Sequence, residues 1–141
     1  RGAVQESASE ALVQMSSEPE FVTLSIGQQY EISVLNEQGV PQPHSQGYEQ
    51  LSAMAFISGL ASTAGKSNLM VMDTPLGRLD KENRRGVLNW ASGRSSQTIL
   101  FVQSGELTES EARQLIGKKL GRQMKLKRVR QGSSEIVEVK N

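Results

Sequence analysis

Apolar residues recur at near-helical spacing from Ala3 to Met15 with glutamates between them, and this pattern predicts an amphipathic helix. Phe21 to Ile26 and Tyr30 to Leu35 instead alternate apolar and polar positions, each followed by turn residues, Gly27-Gln28 and Asn36 to Gly39. Two strands are expected there. A polar loop, Pro41 to Gly47, leads into a helix of small and apolar residues from Tyr48 to Leu60. The most apolar run follows the break Ala64 to Asn68: Leu69-Met70-Val71-Met72, ending at Asp73. Thr98 to Val102 repeats that pattern, and such short runs between turn signals suit strands buried on both faces. Asp80 is placed to cap a helix running to about Trp90, where the indole is expected in the core. Thr108-Glu109-Ser110-Glu111 is a capping box that opens a helix toward Lys119. Met124 to Val129 and Ile136 to Val139 are expected to close as a hairpin around Gln131-Gly132-Ser133. The alternation of strands and helices predicts an α/β fold with a mixed sheet, flanking helices and terminal β-hairpins.

Composition narrows the function classes. A chain of 141 residues suits one domain. With no cysteine, disulfide scaffolds, cysteine-ligated zinc and cysteine nucleophiles are excluded, and a reducing, cytoplasmic setting is expected. The single histidine, His44, reads as a surface residue of the proline-bearing loop and leaves little room for a histidine-built metal site. No apolar run is long enough to cross a membrane, and Arg1 to Glu10 lacks a signal peptide's apolar core. The absence of an initiating methionine or cap at Arg1 suggests a protein that continues upstream. Net charge is +1 but uneven: residues 1–65 carry one basic residue against seven acidic ones (−6), and residues 66–141 carry fifteen against eight (+7). An anionic partner would meet the second half.

Gly65-Lys66-Ser67 invites a phosphate-loop reading, which order and spacing reject. A phosphate-binding loop needs a strand entering, a helix leaving and an earlier glycine where this chain has Leu60. Here a helix enters and a strand leaves. Asp73 is the better candidate, because an apolar strand ending in aspartate can place a carboxylate beside a nucleotide's Mg²⁺. It is followed by Thr74-Pro75-Leu76-Gly77-Arg78-Leu79-Asp80 and preceded, one helix earlier, by Ser45-Gln46-Gly47-Tyr48-Glu49-Gln50.

Signature loop, helix, Walker B strand, D-loop, helix and switch strand, in that order, resemble the C-terminal half of an ABC-type P-loop ATPase head of the SMC, SbcC and RecN kind. Asp73 to Asp80 resembles the corresponding stretch of the DndD family, ATPases of DNA phosphorothioation (sulfur modification) systems. The resemblance implies that residues 1–17 end a returning coiled-coil arm and residues 18–141 form the C-terminal ATPase lobe. It implies that Ser45, Gln46 and Gly47 meet the γ-phosphate held by a second head, with the following helix aiming its positive end there. Asp73 would hold Mg²⁺ and stand with Thr74 and Ser104 as the catalytic set, Ser104 donating an uncharged hydrogen bond to the γ-phosphate, and Leu79-Asp80 would face the opposing head. Ser45 and Asp80 are equally good plain N-caps. Arg78 would face the neighbouring head or a phosphate, or else pair with a carboxylate of its own chain.

Four departures qualify what the resemblance implies. SMC-like heads usually carry a water-polarising glutamate after the Walker B aspartate; Thr74 stands there and cannot act as a base near neutral pH. Gln103-Ser104 replace the usual switch histidine, and Tyr48 replaces a common signature glutamate. Walker A and the Q-loop are absent, so the implied partners are an N-terminal Walker A lobe of the same protein and a second head in an ATP-dependent homodimer. The chain alone is expected to bind ATP poorly. DNA and other subunits of a DNA modification system complete the implied partners.

Lys118 to Arg130 holds seven basic residues and no acidic one. Alternation puts Lys125, Lys127 and Arg130 forward for DNA phosphates and leaves Arg128 harder to place. A solvated, aggregation-resistant strand is the alternative. The function expected is ATP-driven dimerisation and hydrolysis coupled to DNA work, against a slow or non-hydrolysing ATP-dependent clamp, or an unrelated α/β domain.

Overall fold

The computed structural model describes residues 1–43, 45–65 and 69–139; His44 and the Lys66-Ser67 pair lie outside them. The elements run α1 (Gly2–Met15), β1 (Thr23–Ile26), β2 (Ile32–Leu35), α2 (Gln46–Ala64), β3 (Leu69–Asp73), α3 (Lys81–Arg94), β4 (Gln97–Phe101), α4 (Glu109–Ile116), β5 (Met124–Arg130) and β6 (Ser133–Glu138). A helix therefore enters and a strand leaves the 65–68 break.

α1 lies along α2 and also packs on α3, so the helix expected as the end of a coiled-coil arm belongs to the same core. Its Ala8, Ala11, Leu12 and Met15 are buried with Leu51, Ala55, Val87, Leu88 and Trp90. Small residues set the spacing. A methyl group on Gly59 would lie 2.5 Å from the Val4 carbonyl oxygen and 3.0 Å from Ala8 Cβ. Gly86 meets the Met15 backbone in the same way. Polar side chains of α1 also satisfy β1: Ser9 Oγ accepts from Leu24 N at 3.0 Å, and Gln5 Oε1 accepts from Ile26 N at 3.0 Å.

The strands expected in one mixed sheet instead form three separate two-stranded sheets among the described residues, β1-β2 antiparallel, β3-β4 parallel and β5-β6 antiparallel, because each hairpin pairs only with itself. The second strand begins at Ile32 rather than Tyr30, because Tyr30 turns the chain at φ 63. Burial of β3 and β4 on both faces is not what is observed. Met70, Met72 and Leu100 pack toward the core, whereas Val71 and Phe101 are 55% and 51% exposed, with Leu69 and Ile99 on the same uncovered side. Parallel pairs normally carry a layer on each face; among the described residues only one face has its layer.

α4 opens with the expected capping box: Thr108 Oγ1 accepts from Glu111 N, and Glu111 accepts from Thr108 N at 2.9 Å. The bond from the Thr108 backbone, then that from its hydroxyl, hold the Glu111 carboxyl below the usual glutamate range. Beyond it the β5-β6 hairpin stands clear of the body, every β5 residue exposed.

Candidate functional site

Ser45 has extended backbone and caps α2, its Oγ accepting from Tyr48 N at 3.1 Å. The cap places Gln46 and Gly47 in the first turn, where backbone N–H groups remain free of intrahelical partners. Tyr48 turns the other way: it is buried, its ring packs edge-on to Phe21, and its hydroxyl accepts from Val34 N at 2.8 Å. Tyr48 thus anchors α2 to β2.

Gly47 abuts the loop after β3, and a methyl group added there would lie 3.5 Å from the Arg78 carbonyl oxygen. Ser45, Gly47, Arg78 and Asp80 line one open groove of about 530 Å³, together with Glu20 and Gln42. Asp80 caps α3, with Oδ1 accepting from Asn83 N at 2.9 Å and Oδ2 from Asn83 Nδ2 at 2.9 Å. Leu79, expected to face an opposing head, is instead buried at 4% exposure. Its apolar side chain fills the core, and the exposed Arg78 and Asp80 are left at the surface.

Asp73, Thr74 and Ser104 do not line that groove; they gather at the C-terminal end of the parallel pair. Asp73 pairs with Phe101 on the uncovered side, and Thr74 N extends the ladder by donating to Phe101 O at 2.8 Å. Thr74 sits at φ 49, a left-handed conformation rarely adopted by a β-branched residue. Neighbouring bonds hold it: Thr74 Oγ1 donates to Asp73 Oδ1 at 3.3 Å, and Gln50 Nε2 donates to Thr74 O at 3.3 Å. Strain of this kind concentrates where a backbone must present a group in a fixed direction. Ser104 lies exposed in the turn Gln103 to Glu106, closed by Glu106 N donating to Gln103 O at 2.9 Å.

Between the two clusters runs a polar framework that the motifs did not disclose. Gln50 donates to Pro75 O at 2.8 Å and accepts from Arg78 N at 3.1 Å. Glu106, 5% exposed, receives Leu76 N at 3.0 Å and Gln103 N at 2.8 Å. Arg84 donates from Nε to Leu79 O at 2.8 Å and from Nη1 to Glu106 O at 2.7 Å. The bonds from Gln50 to Pro75 and Arg78, from Glu106 to Leu76 and from Arg84 to Glu106 join backbone groups 22 to 30 residues away in sequence, so periodicity carries no trace of them. The only sequence signal is a lone acid beside the glycine-bearing turn Ser104-Gly105.

In the basic hairpin, Lys125 and Lys127 share a face. A bulge between Arg128 and Arg130 pairs Arg130 with Ser133 and so returns it to that face. Arg128, opposite Ser134, falls on the other face with Met124 and Leu126.

No family model matches the chain, and no curated protein matches it in sequence. Solved structures do match. An SMC ATPase described for ATP-driven dimerization and DNA-stimulated activation superposes with a TM-score of 0.71 at 19% identity, covering 99% of this chain and 84% of that one. The SMC head domain from Thermotoga maritima gives 0.65 at 18% identity over 100% of this chain and 49% of its own. A Smc head bound to the C-winged helix domain of ScpA gives 0.69 at 17% identity over 98% and 43%. The chain thus spans under half of the latter two. At these identities the likeness is one of fold: the chain has the α/β architecture of the C-terminal lobe of an SMC-type head.

Proposed function

We propose that the chain is the C-terminal lobe of an SMC-like ATPase head of the DndD type, in which ATP closes two heads and its hydrolysis is coupled to work on DNA. The observation that supports this most is the separation of two half-sites on one lobe. Asp73, Thr74 and Ser104 stand at the end of a parallel pair with an uncovered apolar face, and Ser45, Gly47 and Asp80 share a groove elsewhere. In this reading the first completes a site with a Walker A lobe that would cover that sheet face. The second would meet the nucleotide of another head, where the partial positive charge at the N-terminus of α2 favours a phosphate.

The donor set fits the groups it would take. Mg²⁺ keeps several waters and needs one or two carboxylates, and Asp73, exposed with only Oδ1 held by Thr74, supplies one. When bound, the ion neutralises charge on the phosphoryl oxygens. Ser104 offers an uncharged hydrogen bond to the same phosphate, and Ser45 Oγ can donate to a phosphate while still accepting from Tyr48 N. DNA would lie along Lys125, Lys127 and Arg130, the shared basic face of the hairpin. The DndD assignment, with sulfur-modification subunits as partners, rests on the stretch Asp73 to Asp80.

One observation favours an ATP-dependent clamp with little turnover as a second reading. Thr74 follows Asp73, and both oxygens of the buried Glu106 are already engaged by backbone donors. Neither group serves as a base for water.

Replacing Asp73 by Asn in the complete head tests the main reading. Mg²⁺-dependent turnover should fall to background with the circular-dichroism spectrum unchanged. Turnover at the wild-type level would remove Asp73 from the site.

A further inference from the structure

A buried carboxylate is costly unless donors compensate its charge, and Glu106 is compensated by groups from two loops at once. Its Oε1 accepts from Leu76 N at 3.0 Å in the loop after β3, thirty residues away in sequence. Its Oε2 accepts from Gln103 N at 2.8 Å in the loop after β4. The approach is close enough that a methyl group on Gly77 would lie 3.3 Å from Oε1. Arg84, on the first turns of α3, completes the bridge by reaching Leu79 O at 2.8 Å on one loop and Glu106 O at 2.7 Å on the other. One loop carries Asp80 at the groove; the other carries Ser104 at the end of the sheet.

We infer that Glu106 is a positioning residue that makes these two loops a single body, so that a second head pressing on Asp80 sets the position of Ser104 at the phosphate. The inference rests on the functional reading above for its consequence and on the bridge alone for its mechanics. A turn confined to Gln103–Leu107 needs no such side chain. Backbone bonds from Glu106 N and Leu107 N to Gln103 O already close it, at 2.9 and 3.4 Å. What the carboxylate adds is the link across to Leu76.

Glu106→Gln is nearly isosteric but turns an amide NH₂ toward one of the two backbone donors, leaving that donor unmet. In the complete head, without nucleotide, amide hydrogen exchange should quicken in residues 74–80 and 102–107 together while α1 and α2 keep wild-type protection. Turnover should fall about tenfold in kcat with KM for ATP within about twofold of wild type, the pattern of an impaired transition-state alignment. If Glu106→Gln does not fold, Glu106→Asp, which keeps the charge but reaches only one donor, is measured in the same way. Faster exchange confined to 102–107, or unchanged kcat in a head whose wild type hydrolyses ATP, overturns the inference. A wild-type head with no turnover overturns the functional reading instead, and the exchange pattern still decides whether the bridge exists.

Discussion

The Gln50 carboxamide donates to the Pro75 carbonyl oxygen at 2.8 Å, joining the helix that opens at Ser45 to the loop that leaves Asp73. Its Oε1 accepts from Arg78 N at 3.1 Å, so one side chain grips that loop at both ends. Gln50→Ala should therefore cost about 1–2 kcal/mol in urea unfolding, from carbonyl and amide groups left without a partner. Gln50→Glu, which turns a charged oxygen toward the Thr74 and Pro75 carbonyls, should cost at least as much. A midpoint unchanged in both variants would mean that water replaces the grip at no cost.

Close approach at Gly59 and Gly86 makes a second prediction, about the fold. Alanine gains up to about 1 kcal/mol of helix propensity over glycine. At these two positions, however, the added methyl meets backbone of α1 and forces the helices apart, typically at about 1–3 kcal/mol. Gly59→Ala and Gly86→Ala should each be net destabilising. Gly93→Ala, whose nearest neighbour would be Lys119 Nζ at 3.9 Å, should be neutral or stabilising. Thermal melts that rank the three in the opposite order would contradict the packing described.

These glycines show what periodicity can and cannot carry. The α1 stripe Ala8, Leu12, Met15, the Thr108–Glu111 capping box and the strands at Leu69 to Asp73 and Thr98 to Val102 are legible, because each follows from local spacing, whereas the parallel pairing of those strands does not. Gly59 and Gly86 read only as small helix residues, since their meaning lies in Val4 and Met15. The same holds for the candidate site. Asp73, Ser45 and Asp80 stand out by motif order, whereas Gln50, Arg84 and Glu106 act on backbone groups of other loops and leave no pattern. Leu69 to Met72 reads as doubly buried because an apolar run reports the affinity of a strand for cover, irrespective of whether both layers belong to the same lobe.

The hairpin separates two faces that a simple count of basic residues would merge. Lys125, Lys127 and Arg130 share one face, and Arg128 lies on the other. Neutralising the first three should reduce the salt slope of DNA binding by about one unit for each phosphate that no longer meets a cation. Arg128→Gln should leave the slope near wild type. Filter binding across a salt series reads both, and equal effects from the two variants would favour a merely solvated basic strand.

If this lobe contributes half of a nucleotide site shared between two heads, replacing Ser45 should show it in assembly. Its hydroxyl caps α2 from within the groove that also holds Gly47 and Asp80. As a cap alone, its loss should cost about 0.5–2 kcal/mol of stability and nothing in assembly. Light scattering of the complete head carrying Ser45→Arg, with and without ATP, decides between the two roles. ATP binding should stay close to wild type, because Walker A is untouched, while ATP-induced dimerisation is lost as the arginine fills the gap. A variant that still dimerises normally on ATP would contradict the shared site.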